Sequence, residues 1–211
     1  DQSHAYTRKF ALHKKHKKVR AKPAVRKIEL TLDRPTVENQ TPDLERLLNR
    51  LPEKQIGAPL RLLAGLPQIL RKNNFAVTAV LAAGRLIAVE AGHTAERLFG
   101  VAFDIGTTTI MGSLHDLSSG KALAVGAATN PQNVFGADVI SRITYAASGT
   151  DKLKRLQSKV IEALNGIIED LAGKAGIEPY EIYEVTAVGN TTMSHLFLGI
   201  DPTYLAPAPF V

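Results

Sequence analysis

The sequence has 211 residues, 45% apolar and 22% charged, a balance that allows one large or two small folded domains and excludes a disordered or fibrous chain. It contains no cysteine, which excludes disulfides, and zinc or iron–sulfur centres bound by its own thiolates. The net charge of +6 is uneven: residues 1–27 hold ten Lys/Arg against Asp1, while the other 184 hold 16 against 19 acids, so the basicity belongs to an arm.

No apolar run reaches the ~20 residues needed to span a bilayer, and no apolar signal core follows the basic N-terminus. A cytoplasmic location away from membranes is therefore expected. The first residue is Asp rather than Met, so the chain is expected to begin inside a longer gene product.

Residues 1–27 read as a basic linker. Lys14-Lys15-His16-Lys17-Lys18 cannot sit in a core. With only Tyr6 and Phe10 nearby to stack on bases, no specific nucleic-acid recognition is expected. Val25–Leu32 alternates as a short strand. Thr41-Pro42-Asp43 reads as a helix start, with Thr as N-cap and Pro at the first helical position. Leu44, Leu47, Leu48 and Leu51 then share a face. Pro59 and Pro67 each read as the opening of a helix. Phe75–Leu81 and Arg85–Glu90 flank Ala82-Ala83-Gly84 as a hairpin. Residues 28–95 are thus expected to form a small α/β middle domain.

A second unit is expected over residues 96–211. Leu98–Ile105, Thr108–Leu114 and Ala122–Ala128 read as three strands of an antiparallel meander, and Ala137–Ala147 as a helix. From Lys152, the residues Leu153, Leu156, Val160, Leu164, Ile167, Ile168 and Leu171 form one stripe of helical period, stopped by Gly173 and Gly176. Ile182–Val188 is a strand that turns through Gly189-Asn190-Thr191-Thr192 into a short helix reaching Leu198.

Three motifs can carry chemistry. In Val101-Ala102-Phe103-Asp104-Ile105-Gly106-Thr107-Thr108-Thr109 an apolar strand delivers Asp104 at its end. Gly106 permits a sharp turn and a close phosphate. Successive N–H groups in such a turn form a concave anion site, to which the hydroxyls of Thr107, Thr108 and Thr109 can add. Asp104 is placed to hold Mg²⁺ through water. The plain alternative is an ordinary hairpin turn. No Gly-Lys-Ser/Thr ending is present, so this is not a P-loop. The flanking strands and the further Ser/Gly turn match the phosphate hairpin of actin-like ATPases.

The second motif is Asn130-Pro131-Gln132-Asn133-Val134-Phe135-Gly136-Ala137-Asp138, a polar loop running into a helix. Asn130, Gln132 and Asp138 are candidates for a nucleotide-cleft rim. The alternative for Asp138 is an ion pair with Arg142, four residues on. The third, Gly189-Asn190-Thr191, either caps a helix or offers N–H groups and hydroxyls to a phosphate or its attacking water. His195 reads as structural, and no metal-ligand spacing appears.

In order and spacing, Phe103-Asp104-Ile105-Gly106-Thr107-Thr108-Thr109, Asn130-Pro131-Gln132, Gly136-Ala137-Asp138-Val139-Ile140-Ser141-Arg142-Ile143, Gly189-Asn190-Thr191-Thr192-Met193 and Ala208-Pro209-Phe210 resemble the reductive activators of corrinoid proteins. The resemblance covers roughly residues 25–211. It implies a small α/β middle domain followed by the first half of an actin/Hsp70/sugar-kinase-like (ribonuclease H-like) ATPase domain. It implies ATP and Mg²⁺ as cofactors, with Asp104 and Asp138 catalytic and Gly106, Thr107, Thr108, Thr109, Asn130, Gln132, Gly189, Asn190 and Thr191 binding nucleotide. It further implies a [2Fe–2S] domain elsewhere in a longer protein, a corrinoid protein and an electron donor as partners, and reduction of Co(II) to Co(I). A homodimer is expected. The other readings are a different actin-fold ATPase, a sugar kinase, or a truncated dimerisation module without activity. This chain alone is expected to bind ATP weakly, since it supplies one phosphate loop of the two that such a cleft uses.

Overall fold

The computed structural model describes residues 22–52 and 57–209, which divide into two compact units, one ending at Leu98 and the other beginning at Phe99. Most of the basic linker expected over residues 1–27 lies outside the described residues.

The first unit is an antiparallel sheet of β1 (Val25–Thr31), β2 (Ala76–Ala82) and β3 (Arg85–Ala91), in that order, with helices α1 (Asp43–Leu48) and α2 (Leu60–Lys72). The β2–β3 hairpin turns on Ala83 and Gly84, both at positive φ, 47° and 72°, as the tight turns that match strand twist require. Two of the expected helix starts differ. Pro42, not Thr41, precedes the first residue of α1, and no side chain caps it; the Thr41 carbonyl instead accepts from the Arg46 guanidinium at 3.0 Å. Pro67 opens no new helix but lies inside α2. Proline there removes one helical hydrogen bond, yet Leu62, Leu66 and Leu70 on either side of it are buried in a single core. That burial outweighs the missing bond, since each such leucine contributes about 1.5–3 kcal/mol.

The second unit orders its strands β6-β5-β4-β7: β4 (Phe99–Ile105), β5 (Thr109–Asp116) and β6 (Lys121–Thr129) form the expected antiparallel meander, and β7 (Ile182–Gly189) adds parallel to β4. Between β6 and β7 come a 3₁₀ turn (Pro131–Phe135), helix α3 (Val139–Ala147) and helix α4 (Thr150–Ala175); α5 (Thr191–Leu198) follows β7. The α4 stripe is buried at Leu156, Val160, Leu164, Ile167 and Leu171, in one cluster with Val101, Phe103, Ile105, Ile110 and Leu114 of the sheet. The helix lies so close that a Cβ on Gly112 would stand 2.6 Å from the Ile167 side chain. Gly173 does not stop α4; the helix runs on to Gly176, whose φ of 66° ends it, because only a left-handed residue there closes the last turn.

Candidate functional site

β4 and β7 run parallel with Ile105 opposite Gly189, so their carboxyl ends open at the same edge of the sheet. Ligand crevices in open α/β sheets lie beyond such ends. A Cβ on Gly189 would stand 3.0 Å from the Ile105 carbonyl, so glycine lets the two ends approach.

The chain leaves β4 at Gly106, whose N–H donates to the Thr109 carbonyl at 3.0 Å. A Cβ on Gly106 would lie 2.5 Å from that same oxygen, so the turn closes only on glycine. Alternation along β4 sends Val101, Phe103 and Ile105 into the core and leaves Asp104 exposed at the strand end. Thr108 is exposed and Thr107 half-buried. Neither the Thr107 nor the Thr108 N–H donates to a protein acceptor among the described residues. The carbonyls of the same loop are all engaged: Gly106 O accepts from Asn130 Nδ2 at 2.8 Å, Thr107 O from Arg142 Nη2 at 2.7 Å, and Thr108 O from the Asn130 N–H at 2.8 Å. Asn190 closes the other side. Its Nδ2 donates to Thr107 Oγ1 at 3.2 Å while its Oδ1 caps α5 by accepting from the Met193 N–H at 2.9 Å.

Arg142 is fully buried. Its Nε donates to Gly136 O at 2.8 Å and its Nη1 to Gln132 Oε1 at 3.3 Å; its Nη2 also donates to Asn133 Oδ1. Burial draws its pKa down from the ordinary arginine value, and the charge of Asp138 opposes this. The Asp138–Arg142 ion pair, the alternative reading of Asp138, does not form among the described residues. Asp138 Oδ1 instead accepts from the Ser141 N–H at 2.8 Å as the N-cap of α3. That bond, followed by the Ser141 side chain, holds its pKa below the ordinary aspartate value.

Residues 99–211 match the family model described as the RACo middle region, and residues 14–96 match the RACo linker region. The chain belongs to the RACo family. It is 44% identical over 114 residues to the corrinoid activation enzyme RamQ of Eubacterium limosum, a match covering 54% of this chain and 19% of RamQ. A solved structure, a reductive activator for corrinoid, iron–sulfur protein, superposes with a TM-score of 0.74 at 37% identity, covering 93% of this chain and 32% of that one. The chain thus spans a third or less of the length of these relatives. Both of its units fall within the 93% of the chain that this superposition covers.

Against the RACo frame, the residues expected at the site divide into two groups. Asp104, Gly106, Thr107, Thr108, Gly189 and Asn190 come together at the carboxyl ends of β4 and β7, with Thr191 exposed at the start of α5 and Thr109 half-buried at the start of β5. Asn130 and Gln132 are placed behind the loop, not at a rim. Both are fully buried; Asn130 Oδ1 accepts from the Gln132 N–H at 3.0 Å and Gln132 Nε2 donates to Leu156 O at 2.9 Å. An irregular loop must satisfy its buried backbone groups, and these amides do so. Arg142 is the site-building residue that sequence reasoning treated only as an ion-pair partner. Its signal was position: it sits on the same buried stripe of α3 as Ile143 and Ala146, where a charge needs a reason. His195 Nδ1 faces its own helix at Thr191 O, 2.8 Å away. No described helix is long and apolar enough to cross a membrane.

Proposed function

We propose that this chain is the part of an ATP-dependent reductive activator that carries the first phosphate loop, and that the complete protein uses ATP to drive one-electron reduction of an inactive Co(II) corrinoid protein to Co(I). The observation that supports this most is the pair of N–H groups at Thr107 and Thr108, without an acceptor among the described residues, near the exposed carboxylate of Asp104, at the sheet edge where the Asn190 cap also sits.

These residues fit a magnesium nucleotide. The Thr107 and Thr108 N–H groups and the Thr108 hydroxyl would hold phosphate oxygens, and Asp104 would hold Mg²⁺ through its water shell, since Mg²⁺ is seldom caged by protein alone. The metal would supply charge neutralisation on the phosphates. This chain's contribution is to fix the phosphate and orient the metal's carboxylate. A [2Fe–2S] cluster does not fit here, because the chain has no cysteine, and no electron-transfer step is assigned to its residues. Asp138, expected as a second catalytic carboxylate, has the capping of α3 as its supported role. The relatives' names support a corrinoid protein as partner; the electron donor and a homodimeric assembly are further parts of the proposal.

The test uses the complete gene product. Mg-ATP affinity is measured by calorimetry, and reduction of a Co(II) corrinoid protein by absorbance. Asp104→Ala should lower affinity about tenfold or more, as loss of a charge-assisted contact does, and should abolish ATP-dependent reduction. Unchanged binding and reduction in that variant would leave the loop as a hairpin turn only. The 211-residue chain alone should bind Mg-ATP far more weakly than the complete product, because a few hydrogen bonds of about 1.5–3 kcal/mol each must offset an immobilisation cost of at least ~4 kcal/mol.

A further inference from the structure

We propose that Arg142, together with Asn130, is the positioning residue that aims the phosphate loop. It acts by holding loop carbonyls inward so that consecutive N–H groups must face the ligand. This inference rests on the phosphate-binding role proposed above for residues 104–108.

A trans peptide is planar, and its C=O and N–H point in opposite directions. The Gly106 carbonyl and the Thr107 N–H belong to one such plane; the Thr107 carbonyl and the Thr108 N–H belong to the next. Each carbonyl is held at short distance by a fully buried side chain, Gly106 O by Asn130 Nδ2 at 2.8 Å and Thr107 O by Arg142 Nη2 at 2.7 Å. Both planes are therefore locked with their N–H groups turned away from the core, and those two N–H groups find no protein acceptor among the described residues. Rotation of either plane would bury an N–H and break a bond to a desolvated donor. Consecutive N–H groups on one side of a turn form the concave anion site that a phosphate needs.

The chemistry explains why the clamp is an arginine. A guanidinium is a flat fork that binds several acceptors at once, which an ammonium on a flexible stem does less well. Arg142 bridges Thr107 O of the phosphate loop, Gly136 O, Gln132 Oε1 and Asn133 Oδ1. It thereby ties the loop after β4 to the polar loop before α3. All of these acceptors are neutral. A buried cation is ordinarily paired with an anion, and here the carboxylate nearest in sequence, Asp138, is engaged at the N-terminus of α3. The positive charge therefore stands directly behind the Thr107–Thr108 peptide plane, whose N–H group faces outward. Clamp and charge act in the same direction, toward an anion.

The experiment compares the complete gene product with its Arg142→Lys and Asn130→Asp variants. Lys keeps the charge and loses the fork; Asp keeps the shape and loses the donor to Gly106 O. Mg-ATP affinity, amide-exchange protection of segment 104–109 on adding Mg-ATP, and thermal unfolding are measured on each. In the wild type, Mg-ATP should protect the segment. In either folded variant, affinity should fall about 10–100-fold, the size of one or two charge-assisted hydrogen bonds, and the protection should vanish while the unfolding transition stays cooperative. Wild-type affinity and protection in both folded variants would overturn the positioning role and leave the nucleotide site standing. Absence of binding and protection in the wild type would instead overturn the site, and the clamp with it. If one variant does not fold, the other decides.

Discussion

Two hairpin turns in this chain each follow an apolar strand, and they are fixed by opposite means. Between β2 and β3, Ala83 and Gly84 take left-handed backbone angles. The turn is set by its own two residues, and a Cβ on Gly84 would meet open space. Between β4 and β5 no residue takes a left-handed angle, and the carbonyls are held by side chains 24 and 35 residues downstream. The first turn is a local solution that serves only to reverse the chain. The second is imposed by the fold, and the fold does so by burying a cation. A buried arginine alone does not mark a site. In the first unit Arg46 is also buried and holds the carbonyls of Asp33, Asn39 and Thr41. What distinguishes Arg142 is that its loop lies at the carboxyl ends of the parallel strands β4 and β7, beside the exposed Asp104.

The largest expected effect tests that contrast between the two arginines. Arg142→Leu leaves the Thr107 and Gly136 carbonyls without their donor, and two such losses should destabilise the second unit by about 3–6 kcal/mol. Arg46→Leu should destabilise the first unit comparably in a denaturant titration. Only the Arg142 change should also alter Mg-ATP binding in the complete protein. Equal effects of the two on nucleotide would erase the distinction between a loop-holding arginine and a site-building one. Next in size is the platform beneath the loop. Leu164→Ala removes a leucine that is 5% exposed on the α4 stripe and should cost about 2–5 kcal/mol by leaving a cavity. A loss below about 1 kcal/mol, the range of surface changes, would detach the helix from the sheet.

The elements and their order were legible because periodicity reports burial directly. The α4 stripe from Leu156 to Leu171 and the Phe103/Ile105 alternation of β4 are cases where one face meets one core. Boundaries failed where local rules and packing disagree. Pro67 reads as a helix start by its own chemistry, and only the Leu62, Leu66 and Leu70 contacts carry the helix through it. The Asp104-Ile105-Gly106 turn was legible because it closes only on glycine. Its support was not, because Asn130, Gln132 and Arg142 meet residues 24 to 35 positions away, and no spacing rule spans that distance.

A pair of glycine changes sharpens the contrast at smaller cost. Gly84→Ala puts a side chain on a residue at φ 72° with space around it, and should cost about 1–2 kcal/mol through backbone strain alone. Gly106→Ala drives a Cβ to 2.5 Å from the Thr109 carbonyl. The loop must shift, at about 1–3 kcal/mol, and phosphate affinity should fall with it. Unaltered Mg-ATP binding in Gly106→Ala would show that the loop's shape is not what the ligand reads.

The smallest effect expected is that of Asp138→Asn, and it separates a cap from a catalyst. Asn caps helices about as well as Asp, so stability near neutral pH should be almost unchanged. The difference should appear in acid. The folded-state pKa of Asp138 lies below its ordinary value, chiefly through the Ser141 N–H bond. In the window between those two values the unfolded chain binds more protons than the folded one, so stability rises with pH there. The contribution is fully present above the ordinary aspartate pKa and fades as pH falls through the lowered folded value. Asp138→Asn should therefore flatten the acid limb of the stability–pH profile without moving its neutral plateau. An unchanged acid limb would mean that the carboxylate is not the group accepting from Ser141 in solution. In the complete protein the same variant should keep its ATPase rate if Asp138 only caps α3. A collapse of turnover with the plateau intact would return Asp138 to the catalytic role that its place in the Gly136-Ala137-Asp138 motif suggested.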